Sequence, residues 1–139
     1  MKKATLMNKG YLGFHLVMAT GKAYNGYETP FKVLETRTIN PNRVMMCNYG
    51  YHWTKLPSDC IIGYNYGPMI EFCLFSPPID KQDKKYLSSS KMVIATADIS
   101  ILRDKLLSDF YGDHFKSNTL KKFNIDVYKA LGLKFGRGE

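Results

Sequence analysis

Met92-Val-Ile-Ala-Thr-Ala-Asp-Ile-Ser-Ile101, followed at once by Leu102-Arg-Asp-Lys-Leu-Leu-Ser-Asp-Phe110, is where the chain changes its hydrophobic period and where its fold class is decided. The first half is dominated by Val, Ile and Thr, which suit a pleated surface, and reads as a strand. In the second half Leu102, Leu106 and Phe110 recur at i, i+4 and i+8, one apolar stripe of a helix. Leu120, Phe123, Val127 and Leu131 repeat the helical pattern at i, i+3, i+7 and i+11, with Ser117 or Asn118 placed to cap that second helix and Gly132 to end it.

Upstream of residue 92 the signals are those of strands and turns. Residues 10–18 form a short apolar run, and Phe31 to Ile39 is a second run rich in Val, Thr and Ile that stops at Asn40-Pro-Asn42. Val44 to Cys47 and Tyr51 to Thr54 read as a third and fourth strand around the turn Asn48-Tyr-Gly50, where Gly50 can take a positive φ. Pro57, with Ser58 and Asp59 behind it, starts a short helix over about residues 57–64. Met69 to Phe75 is a further strand, ended by Ser76-Pro-Pro78. Asp80 to Ser90, polar and lysine-rich, reads as a mobile loop, with the low-complexity triplet Ser88-Ser-Ser90 at its end. Strands first and helices last predict a single α+β domain: a curled, mostly antiparallel sheet of five or six strands over residues 9–101, a short helix after strand four, and two C-terminal helices over residues 102–133.

The 139 residues suit one domain, and 45% apolar with 23% charged residues is ordinary for a folded chain. Aromatic residues reach 14%, ten of them Tyr. A Tyr-rich chain either fills a small core with large rings or offers them for stacking on bases and docking partners. Twenty Lys and Arg against twelve Asp and Glu give a formal charge of +8, which favours polyanions as partners. The three cysteines are an odd number, and Cys60 and Cys73 sit in apolar context, as buried thiols of a reducing compartment do. No window is apolar enough to span a membrane and the start lacks a sustained apolar segment, so a cytoplasmic protein with no membrane partner is expected.

The chemistry-bearing residues concentrate between Cys47 and Tyr66. Cys47, His52, Cys60 and Cys73 offer zinc-ligand types, but four, seven and twelve intervening residues are not the paired knuckles that clamp a metal, so no metal site is expected. His15 and His52 each follow a Gly-aromatic pair on a strand-like run, where an imidazole can act as acid or base, bind an anionic ligand, or be hydrogen-bonded at a sheet edge. Glu71 lies between Ile70 and Phe72, so alternation sends it to the opposite face, into solvent or into a cleft between strands. Trp53, the only tryptophan, is expected in the core and His52 towards open surface with Lys55.

Cys47-x-x-Gly50-Tyr51-His52, followed by Pro57-x-Asp59 and Tyr64, resembles the signature C-x-x-G-F-H-x-C-x-x-P-x-D of a small domain family of bacteriophage and prophage genomes. Gly13-Phe14, the turn Gly21-Lys22-Ala23-Tyr24 and the strand Lys91 to Ile99 are similar to that family's other landmarks, over roughly residues 9–101; Thr54 stands where the family often has a second cysteine. The resemblance implies a phage origin and no particular reaction. Gly50-Tyr-His-Trp-Thr54, the helix to Tyr64 and Glu71 look similar to ADP-ribosyltransferase-like domains, which implies NAD as cofactor and His15, His52 and Glu71 as catalytic residues. The leading expectation is a basic phage accessory protein in the host cytoplasm that binds nucleic acid or a host protein without a cofactor. Its binding residues would be Tyr49, Tyr51, His52, Lys55, Tyr64 and Tyr66, with a homo-oligomer formed through the C-terminal helix as a further option.

Overall fold

The computed structural model describes residues 11–19, 29–47, 49–63, 67–112 and 115–133. Its strands are β1 (Tyr11–Val17), β2 (Thr36–Thr38), β3 (Tyr51–Trp53), β4 (Met69–Phe75), β5 (Asp80–Gln82), β6 (Lys85–Ser88) and β7 (Ser90–Asp98). The helices are α1 (Pro57–Gly63), α2 (Ser100–Tyr111) and α3 (Thr119–Ala130). This is an α+β architecture with every strand pairing antiparallel, in a four-stranded sheet ordered β1-β4-β7-β2 and a three-stranded sheet ordered β3-β6-β5.

Alternation in the large sheet sorts most of its buried residues into two main cores, with Leu74 and Met92 in a third, smaller cluster. Phe14, Leu16 and Ile70 join Cys60 and Ile61 of α1, Leu106 of α2, and Phe123, Val127 and Leu131 of α3. On the other face Cys73, Phe75 and Val93 meet Tyr51 and Trp53 of the small sheet. The domain is therefore layered as helices, large sheet, small sheet, two hydrophobic cores sharing the middle layer. The apolar stripe of α3 is buried in its own chain's core. Its end is closed by Gly132 N–H to Lys129 O at 3.0 Å and Leu133 N–H to Tyr128 O at 2.8 Å.

The chain changes sheets at the serine triplet. Ser88 ends β6, Ser90 begins β7, and both are buried. Ser88 Oγ donates to Ser76 O at 2.7 Å, Ser90 N–H donates to Ser76 Oγ at 3.0 Å, and Trp53 Nε1 donates to Ser88 Oγ at 3.0 Å. Small hydroxylated residues fit such a corner because they bring their own hydrogen-bonding groups to backbone that leaves one ladder for another.

Several sequence expectations change in detail. Residues 80–90 are ordered as the β5–β6 hairpin and the corner, with Leu87 buried and Asp83 at φ 54° in the turn, a conformation Asp tolerates. Residues 44–47 are a turn closed by the Met45–Tyr49 bridge. Of Phe31–Ile39 only Thr36–Thr38 pairs, since Leu34 at φ 69° breaks the extended run, and Pro41–Arg43 follows as a 3-10 turn. The strand expected to reach residue 101 ends at Asp98, whose carboxylate accepts the Ser100 N–H at 2.8 Å and so opens α2.

Candidate functional site

A glycine sets how closely the two sheets approach. A Cβ on Gly13 would overlap the Trp53 ring and the Thr54 carbonyl oxygen, and at this point Phe14 and Thr54 exchange N–H···O bonds of 2.8 and 3.0 Å. Under this contact the layer between the sheets holds a polar centre. Lys91 Nζ lies 2.5 Å from Glu71 Oε1, the two side chains being 5% and 4% exposed. The ammonium also sits 4.5 Å from the Phe31 ring centroid and 5.9 Å from that of Tyr51, so the aromatic faces share its charge. His15 is the cross-strand partner of Glu71. Burial, then the positive charges of Lys91 and His52, push its imidazole well below the ordinary value, against the pull of the His52 backbone.

Tyr51 and Trp53 face inward, and His52, between them, turns to the other side of the short strand. Cys47 N–H donates to His52 Nε2 at 2.9 Å, so the imidazole clasps the turn that precedes its own strand. Burial, then the charge of Lys85, lowers its pKa to about 4, with the Gly50 backbone opposing. Gly50 itself sits at φ 134°, open to glycine and strained for other residues. Beyond the clasp Cys47 is an exposed thiol that accepts from Lys85 Nζ at 3.0 Å and faces Gln82 Oε1 at 3.3 Å. Cys60 and Cys73 are buried, and burial raises both, Cys60 to about 12.

The aromatic and basic residues meet around Tyr86 on β6, the middle strand of the small sheet. Trp53 stacks on Phe75 at 4.9 Å and on its cross-strand partner Tyr86 at 4.7 Å, and Tyr11 lies 6.3 Å from it. The ammonium groups of Lys55 and Lys81 each stand 5.2 Å from the Tyr86 ring centroid. Hydrogen bonding from Lys55, reinforced by the charges of both lysines, lowers the Tyr86 phenol below its ordinary value. Tyr86 is half-buried, while Tyr11 and Tyr49 are exposed. Phe75, Trp53 and Tyr86 thus form an aromatic stack whose last ring, Tyr86, is flanked by two cations.

The structure thus brings His15 and Glu71 together, places His52 beside His15 through its backbone, and gives the His52 side chain to the 45–50 turn. Lys55 and Tyr49 are on the surface, whereas Tyr51 is buried against Lys91. Tyr64, Tyr66 and the Gly21–Tyr24 turn lie outside the described residues. Tyr86 and Lys81 were missed by sequence reasoning because they fall in the lysine-rich stretch read as a loop. The signal available was Tyr86-Leu87, an aromatic and an aliphatic residue side by side in an otherwise polar segment. Among the described residues no three His, Cys, Asp or Glu side chains converge as a metal cage, and no helix is long and apolar enough to cross a membrane. Comparisons of the chain with protein-family models, curated proteins and solved structures find no match.

Proposed function

We propose that the protein acts by binding, and that single-stranded nucleic acid is its target, engaged at Tyr86 on the middle strand of the small sheet. The observation that carries this reading is the Tyr86 ring, stacked on Trp53 from within and attended by the Lys55 and Lys81 ammonium groups at 5.2 Å. An incoming phosphate competes for those ammonium groups, and a base can stack where they leave the ring. Both contacts are indifferent to sequence, since every base has a π-face and every nucleotide a phosphate. The +8 formal charge supplies long-range attraction. Under the same proposal the protein is a phage accessory factor working in host cytoplasm, as the Cys47-x-x-Gly50-Tyr51-His52 signature suggests; a host protein bound at this surface is the competing target.

The alternative, an ADP-ribosyltransferase using NAD, needs the Glu71 carboxylate free to meet a substrate. Glu71 is buried and held by Lys91, which weighs against that use. Titration of a labelled single-stranded oligonucleotide at two salt concentrations tests the binding proposal. Affinity should fall with salt, each phosphate contact contributing a slope of about −0.7. No binding at low salt would rule nucleic acid out and leave a protein target.

A further inference from the structure

The positive charge of the described residues is unevenly cancelled. Arg37 pairs with Glu35 at 2.8 Å, Lys84 with Asp59 at 3.6 Å, and Lys91 with Glu71. The charges of α2 cancel along the helix itself, Arg103 with Asp104 at 3.1 Å and Lys105 with Asp109 at 3.0 Å. The third helix behaves otherwise. Lys121, Lys122 and Lys129 are exposed on it, Lys116 precedes it, and none of the four has an ion-pair partner among the described residues. Asp126, half-buried and one turn from both Lys122 and Lys129, is the only acidic residue of the helix and forms no ion pair with either.

We infer that the outward lysine face of α3 is a second contact surface of the protein, and that its occupant is the phosphate backbone of the nucleic acid proposed to lie on Tyr86, a reading on which this inference rests. Charge complementarity selects a polyanion. An anionic membrane is the poorer fit, because a helix that lies in a lipid interface must present an apolar face to the acyl chains. Here that face, Phe123, Val127 and Leu131, is spent inside the domain. Lys122 and Lys129 are two turns apart on one side of the helix, about 10 Å along the axis, so one run of backbone can meet both.

The two surfaces are joined through α1. Ser58 N–H donates to Asn124 Oδ1 at 2.9 Å, and Asn124 Nδ2 donates to Ser58 Oγ at 3.1 Å, both bonds buried. Lys55 lies three residues before Ser58, and Lys121 lies one turn before Asn124. Lys55 thus precedes the start of α1 on the side of Tyr86, and Lys121 is carried by the helix to which that start is bound. The path inferred for a bound strand runs from Tyr86 past Lys55 and over the start of α1 to α3.

The test compares wild type with the combined variant Lys121→Gln, Lys122→Gln and Lys129→Gln, which removes charge while keeping good helix formers. Binding is measured against a labelled oligonucleotide of about 6 nucleotides, enough for the Tyr86 surface, and one of about 20, enough to reach α3. Thermal melting confirms that the variant is folded as wild type. The inference expects unchanged affinity for the short oligonucleotide and, for the long one, weaker binding with a salt slope shallower by about 2, from three lost contacts at about 0.7 each. An unchanged slope on the long oligonucleotide overturns the α3 contact and leaves the Tyr86 reading standing. Absence of wild-type binding to both overturns the two together. Vesicles containing phosphatidylserine are a third probe: if they bind wild type and not the variant while the long oligonucleotide distinguishes neither, the face reads lipid and the inference is wrong.

Discussion

Replacing Lys91 by Met keeps the length and most of the volume of the side chain and deletes its charge. Glu71 would then be a carboxylate 4% exposed, with no cation beside it, in a layer lined by Phe31 and Tyr51. Because both members of the pair are almost fully buried, solvent does not screen the loss. Breaking such a pair from one side costs about 3–5 kcal/mol, whereas exchanging both charges for apolar groups is often neutral or stabilising. Lys91→Met alone should therefore lower the urea midpoint sharply at pH 7, by an amount comparable to the whole stability of a marginal domain. Adding Glu71→Leu to the same chain should restore most of it. Equilibrium urea unfolding of wild type, Lys91→Met and the double variant, fitted with a common m-value, reads the difference directly. A single variant within about 1 kcal/mol of wild type would refute the reasoning, since an exposed pair is worth no more than that. A double variant no better than the single one would show instead that the positions depend on more than their mutual charge.

Phe123→Ala should cost about 3–5 kcal/mol in the same assay, because Phe123 fills the core between α3 and the large sheet; an unmoved midpoint would mean that α3 is not docked as described. Stability should fall as pH drops from about 6.5 towards 4. The folded His52 has its pKa lowered to about 4 from the ordinary 6.5, and His15 is lowered too, so between those values the unfolded chain takes up protons that the folded chain refuses. His52→Ala should flatten part of that pH dependence, and an equally steep profile in the variant would remove His52 as a cause.

The two C-terminal helices were legible because each carries enough turns for a period to show. Leu120, Phe123, Val127 and Leu131 mark one face of α3 over three turns, and Pro57 fixes the start of α1. The long strands β1, β4 and β7 were legible as dense apolar runs. In the small sheet β3 was legible as the strand read over Tyr51 to Thr54, whereas β5 and β6, three and four residues long, offer too few inward positions to reveal alternation. Glu71 illustrates the limit for the candidate site. Alternation correctly placed it opposite Ile70 and Phe72, but only the second sheet and Phe31, distant in sequence, decide whether that face is solvent or interior. His52 follows the same logic, because its Nε2 acceptor role depends on a turn held by the Met45–Tyr49 bridge.

Tyr86 is the side chain on which the binding proposal turns, and anisotropy titrations of a labelled single-stranded oligonucleotide against wild type, Tyr86→Phe and Tyr86→Ala test it most directly. Phe keeps the ring that stacks on Trp53 and meets the base, so Tyr86→Phe should bind nearly as wild type. Tyr86→Ala should lose about 1–3 kcal/mol of affinity, the worth of one stacked base, with its salt slope unchanged because no phosphate contact is removed. Equal affinity in all three proteins, each folded by thermal melting, would contradict the account and move the interface away from the small sheet.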